Sequence, residues 1–292
     1  MDFWVGGKGT REGRFHYPRA VAVGPDGTAY VVDKTGRIQR WSADGRLLAW
    51  VRTPAVAQGK PTGLGFTPQG ELLVADTHYC RVLIYSAELE FLRCYGAPGR
   101  APGRFMLLTS VQAGEGRRHY TLDYGDDVAR LQVFTEDGRY LRGWGTFGDG
   151  PLQFNRPMEL AVDDGRDRLY VADAVNHRIS VFTRAGRFVT SFGGPGREPG
   201  RLGYPYDVKL DEEGRVWVAE FGNQRVSVFA PDGRFLGAWG GPGRRPPGLN
   251  RPWGVALAPG GRLWVLDSGG DRAYALARER VLGRPRDGRV AR

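Results

Sequence analysis

The segment PMELAVDDGRDRLYVADAVNHRISVF, residues 157–182, reads as three short strands in succession. An apolar run, LAV, ends at the turn DDGRD; a second run, LYVAD, follows; the loop AVNHR then leads into ISVF. Short apolar runs separated by glycine, asparagine and aspartate are the pattern of inner strands joined by tight turns. The same pattern recurs on both sides of this segment. Its copies begin near residues 18, 61, 108, 157, 205 and 252: PRAVAVGPDGTAYVVDKTGRIQRW, PTGLGFTPQGELLVADTHYCRVLIY, LTSVQAGEGRRHYTLDYGDDVARLQVF, the quoted segment, PYDVKLDEEGRVWVAEFGNQRVSVF and PWGVALAPGGRLWVLDSGGDRAYAL. Successive starts lie 43, 47, 49, 48 and 47 residues apart. A fourth strand follows the DGR-type turns, as in FLGAWG at 235–240. Six units of this length predict an all-β, six-bladed β-propeller of four-stranded antiparallel blades.

The sixth unit has no fourth strand of its own. Residues 2–7, DFWVGG, duplicate the endings GAWGG (237–241) and SFGG (191–194), so the N-terminal strand is expected to close the last blade. Closure removes open sheet edges. The segment ARERVLGRP, which starts at Ala277, is the other source for that strand. A single propeller domain then spans residues 1–277, and 278–292 reads as a mobile basic C-terminal tail with six arginines against Glu279 and Asp287.

These copies resemble NHL repeats, as seen in GRFHYPRAVAV (13–23), LQFNRPMELAV (152–162), LYVADAVNHRISVF (169–182) and VWVAEFGNQRVSVF (216–229). The resemblance covers essentially the whole chain. The third copy departs most: it has no leading proline, and HYTLDYGDDVARLQVF is longer between its second and third strands.

Composition narrows the class. The chain of 292 residues is 41% hydrophobic, and its 45 glycines are spread throughout, as a turn-rich globular protein requires. No apolar run approaches the roughly 20 residues of a transmembrane helix, and the N-terminus lacks a basic region followed by an apolar one. A soluble, cytoplasmic protein is expected. Cys80 and Cys94 are too few for a disulfide framework or a zinc site, and they read as reduced packing residues.

Every copy places an acid at the end of its second strand and an arginine at the start of its third: Asp33 with Arg37, Asp76 with Arg81, Asp123 with Arg130, Asp173 with Arg178, Glu220 with Arg225, and Asp267 with Arg272. A feature present in all six blades marks architecture, either an ion pair or a backbone bond bracing the loop between those strands. Arg46, Arg139, Arg187 and Arg234 in the DGR-type turns take the same structural reading.

Function is sought where the copies differ. Two residues after each leading position stand Ala20, Gly63, Ser110, Glu159, Asp207 and Gly254, where the chain starts down the central channel. Glu159 and Asp207 break a row of small residues. Two facing carboxylates could hold a hard cation such as calcium or share a proton, and a water-filled channel mouth is the plainer reading. One position earlier come Arg19, Thr62, Thr109, Met158, Tyr206 and Trp253. Tyr206 and Trp253 either form a stacking or partner-binding platform or cap the blade seams.

The net charge of +10 points to anionic partners. Lys8, Arg11, Arg14, Arg100, Arg104, Arg156, Arg197, Arg201, Arg244, Arg245 and Arg251 lie in loops that lead into first strands, so one face should be positive. Three readings follow. The first is a non-catalytic scaffold or assembly subunit that docks a protein through a basic, aromatic upper face, with Arg19, Glu159, Tyr206, Asp207, Trp253, Arg197, Arg201, Arg244 and Arg245 as the candidate residues. The second is RNA or single-stranded nucleic-acid binding on that face, which the resemblance to NHL domains also implies. The third is an enzyme, because six-bladed relatives include metal-dependent lyases and lactonases. His16, His78, His119 and His177 share no repeat position, and Glu159 and Asp207 lack an evident third ligand, so no catalytic residue is assigned. No cofactor is expected beyond a divalent cation at Glu159 and Asp207.

Overall fold

The structure, a computed structural model, describes residues 2–245 and 247–282. Blade one is built from Pro18–Val23, Ala29–Asp33, Arg37–Trp41 and Leu47–Arg52, in that spatial order from the axis outward. We call these strands a to d. Blades two to five repeat the order, with strand a at Gly63–Phe66, Leu107–Gly114, Pro157–Asp163 and Pro205–Leu210. In blade six, Pro252–Ala258, Arg262–Asp267 and Arg272–Ala277 are completed by Phe3–Gly6. Phe3 pairs with Ala275 and Gly6 with Arg272, so the N-terminal strand closes the ring.

The alternative closing segment does something else. Glu279–Leu282 form a single helical turn whose Val281 is buried against blade five, and Arg278 is buried in an ion pair with Glu212. The start of the basic tail is thus packed on the body, and residues 283–292 lie outside the described residues. No helix among the described residues is long and apolar enough to cross a membrane.

Inner strands are buried on both faces because each is sandwiched between neighbouring blades, which is why their sequences are nearly continuous apolar runs. Six buried clusters result, one in each seam. Five seams are plugged from above by a residue of the loop leading into strand a: Phe15, Phe105, Phe154, Leu202 and Leu249, all fully buried. Opposite each plug the d strand ends on a glycine or is followed at once by one, namely Gly6, Gly96, Gly145, Gly193 and Gly240. These have positive φ, and an added Cβ would lie 2.3–2.9 Å from the plug. The recurrent WG and FG endings are therefore a steric fit. The seam between blades one and two has no such plug; its loop is short, which accounts for the 43-residue spacing.

The third copy makes a complete blade, and its strands a, b and c run eight residues each, so its extra length extends a hairpin. Cys80 and Cys94 are both free. Cys80 is buried, whereas Cys94 faces solvent on an outer strand and is not a packing residue.

Candidate functional site

The repeated acid and arginine brace the upper loops. Five of the six acids accept the backbone N–H of a residue just before strand a: Asp33 from His16, Asp123 from Met106, Asp173 from Asn155, Glu220 from Gly203 and Asp267 from Asn250. The paired arginine bonds both its acid and the carbonyls of the same loop. Arg178, for example, donates to Asp173 and to the carbonyls of Asp149, Gly150 and Gln153. Blade two is the exception, because with its short loop Arg81 keeps only Asp76 and leaves a buried Nη2 without an acceptor. The DGR-type turns differ from expectation. The hydroxyls of Ser42, Thr135 and Thr183 hold the backbone N–H of Arg46, Arg139 and Arg187; the Arg46 side chain pairs with Asp44 of its own turn at 3.1 Å, whereas those of Arg139 and Arg187 form no bond there among the described residues.

These loops deliver the chain to the channel mouth in a particular conformation. The residues before the leading prolines of blades one, four, five and six, Tyr17, Arg156, Tyr204 and Arg251, all have φ of 50–55°. Such left-handed non-glycine residues are held by their surroundings. At the mouth, Met158, Tyr206 and Trp253 are buried, with Tyr17, Tyr124 and Phe221 packed round them. Tyr206 stacks on Phe221 with ring centroids 4.5 Å apart and meets Trp253 edge-on at 4.7 Å. The two aromatics thus roof the channel and expose little of their rings. The Arg19 guanidinium sits 4.0 Å over Trp253 and 5.0 Å from Tyr17, and Arg156 lies 5.6 Å over Tyr206 and 5.9 Å from Tyr124. Burial lowers the basicity of Arg19, and the like charge of Arg156 acts in the same direction.

Below the roof, Glu159 and Asp207 face the axis, 5% and 4% exposed. Each is already provided for. Glu159 Oε1 accepts from Ser110, from Gln112 Nε2 at 3.0 Å and from the Leu160 N–H at 3.0 Å. Asp207 Oδ2 accepts the Val255 N–H at 2.9 Å. Between them lies Lys209, its Nζ 3.0 Å from Asp207 Oδ1 and 3.6 Å from Glu159 Oε2. Desolvation, partly offset by Lys209 and reinforced by Glu159, pushes the Asp207 carboxyl up to about 7. The ammonium stands against both carboxylates, so a dication would have to displace a built-in positive charge. The donor set does not fit a calcium site, and among the described residues no three His, Cys, Asp or Glu side chains group as metal ligands. Beyond Lys209 the channel continues as a cavity of about 280 Å³ lined by all six a strands, including Ala22, Gly65, Gln112, Ala161 and Ala256.

Glu159, Asp207, Tyr206, Trp253 and Arg19 are therefore brought together, while Arg197, Arg201, Arg244 and Arg245 stay exposed on the loops before blades five and six. Sequence reasoning missed Lys209 and Gln112. Their signal lay four residues after the leading position, where the other blades carry Ala22, Gly65, Ala161 and Ala256. It also counted Arg156 as one rim charge among many.

Residues 154–182, 202–229 and 249–271 match the NHL repeat. The chain is similar to NHL repeat-containing protein 3 of Homo sapiens, at 30% identity over 32% of this chain and 42% of that protein. It is also similar to the protein brain tumor of Drosophila melanogaster, at 22% identity over 46% of this chain and 12% of that protein. It thus spans less than half the length of either relative. Solved structures share the fold. A gluconolactonase from Xanthomonas campestris aligns with a TM-score of 0.69 at 17% identity, covering 90% of this chain and 86% of that one. A streptogramin B lyase aligns at 0.66 and 12%, covering 94% and 98%.

Proposed function

We propose that this chain, an NHL-repeat propeller, is a non-catalytic docking module that presents its basic upper face to a protein partner. The observation that carries this reading is the way charge and rigidity are combined on that face. Strand c arginines tie the upper loops down by their carbonyls, while Lys8, Arg11, Arg104, Arg197, Arg244, Arg245 and Arg251 of the same loops stay exposed and form no ion pair among the described residues. Loops fixed in this way lose little conformational entropy when a partner docks. Unpaired rim charges steer an acidic surface toward the face.

The channel offers little for catalysis by comparison. Lys209 stands against both of its carboxylates and offsets their charge from within, and the aromatic roof lies above. The free thiols Cys80 and Cys94 suit a reducing compartment, the cytoplasm. A native pull-down with mass spectrometry tests the reading. A stoichiometric protein should be retained, and charge reversal of Arg197, Arg201, Arg244 and Arg245 should release it. Recovery of the chain alone would refute docking. Nucleic acid is the second reading, favoured by arginines lying over aromatic faces, and it predicts retained RNA whose affinity falls steeply with salt.

A further inference from the structure

We propose that Arg19 and Arg156 form a carboxylate clamp at the upper mouth, taking one acidic side chain or chain-terminal carboxylate of the docked protein. The inference rests on the docking reading above and specifies its central contact.

Arg19 belongs to blade one and Arg156 to the loop before blade four, so the two approach the axis from opposite sides of the ring. Each is placed by aromatic rings. Arg19 lies over Trp253 and Tyr17, and Arg156 over Tyr206 and Tyr124, and the Tyr206 and Trp253 rings are themselves in contact. A guanidinium held by cation–π contacts uses no N–H group on them and keeps those donors for an oxyanion, which it can grip in fork geometry.

The N–H groups have no acceptor. Among the described residues neither guanidinium donates a hydrogen bond or joins an ion pair, and the Nε of each is buried. This sets the pair apart from the strand c arginines, whose N–H groups find acids and loop carbonyls. Buried donors are satisfied almost everywhere in folded proteins. Arg19 and Arg156 are near enough for each charge to be felt by the other, so their two buried Nε donors call for an acceptor from outside. The rings of Tyr17, Tyr124, Tyr206 and Trp253 pack around the two arginines and displace water from them. One planar oxyanion is the simplest group to satisfy both. A nucleic-acid strand would need a continuous basic track, and the exposed arginines instead lie dispersed on the outer loops.

Trp253 beneath Arg19 supplies the readout, its emission titrated with tetraglutamate peptide or with octathymidylate at one ionic strength. Saturable binding of tetraglutamate is expected, weakened at least tenfold in Arg19→Gln and in Arg156→Gln, each with a wild-type melting temperature. Arg19→Lys, which keeps charge and loses the fork, should recover only part. Either glutamine variant that retains its fold suffices for the test. Unchanged tetraglutamate affinity in that variant overturns the clamp, as does octathymidylate binding more tightly through the same two arginines. If the pull-down partner is retained by both variants, docking stands and the clamp fails.

Discussion

Replacing Lys209 by methionine should destabilise the propeller by an amount that grows with pH. The ammonium lies 3.0 Å from Asp207 and 3.6 Å from Glu159. At an effective dielectric near 20 those distances correspond to gross attractions of about 5.5 and 4.6 kcal/mol. Methionine is relieved of the ammonium's own desolvation, so the net loss should fall to about 3–5 kcal/mol, the range for stripping a buried charge of its partner. The pH dependence follows from Asp207, whose carboxyl is raised from 3.8 to about 7 in the fold. A carboxyl raised on folding contributes stability at acid pH and loses it as pH climbs from the unfolded value through the folded one. Without Lys209 that carboxyl rises further, and the penalty for ionising it increases. Urea unfolding at pH 5 and pH 8 should give a deficit larger at pH 8 by at least about 1.4 kcal/mol, the equivalent of one pKa unit. Adding Asp207→Asn should return most of the pH 8 loss. An equal deficit at both pH values, or none, would show that Lys209 does not neutralise the pair.

Other outcomes follow from the same geometry. Phe154→Ala removes a fully buried plug and should cost about 3–5 kcal/mol in urea unfolding, while Leu152→Ala, exposed two residues away, should cost under about 0.5 kcal/mol. Gly63→Ala should cost about 1–3 kcal/mol by overpacking, because the new Cβ would stand 2.4 Å from the Thr109 carbonyl oxygen of the next blade; an unchanged unfolding midpoint would contradict that crowding. Deleting residues 2–7 should expose strand c of blade six as an open edge and produce concentration-dependent association in light scattering, whereas a monodisperse product would argue against strand closure.

Much of this architecture was legible because it repeats. Six copies of an acid and an arginine at fixed offsets identified a brace, and the glycine endings at 191–194 and 237–241 identified the closing strand at the other end of the chain. The site was less legible because its residues do not repeat and act across blades. Glu159 is bonded from blade three by Ser110 and Gln112 and approached from blade five by Lys209. No local pattern encodes that convergence, and the breaks at Gln112 and Lys209 in a column of small residues went unread. The fate of Tyr206 and Trp253 was equally hidden, since only packing decides whether an aromatic near a rim lies open or forms a roof.

The closing strand also has a kinetic meaning. Phe3 must find Ala275, so the first blade-forming segment to leave the ribosome is the last to be paired. At about 5–20 residues per second, synthesis of the intervening chain takes roughly 15–55 s. Throughout that interval an aromatic strand, FWVG, has no sheet to join. The ring itself can form only after translation has passed blade six. Closure of this propeller therefore requires the two ends of its chain to meet, a contact of high sequence separation whose loop-closure entropy falls on one strand.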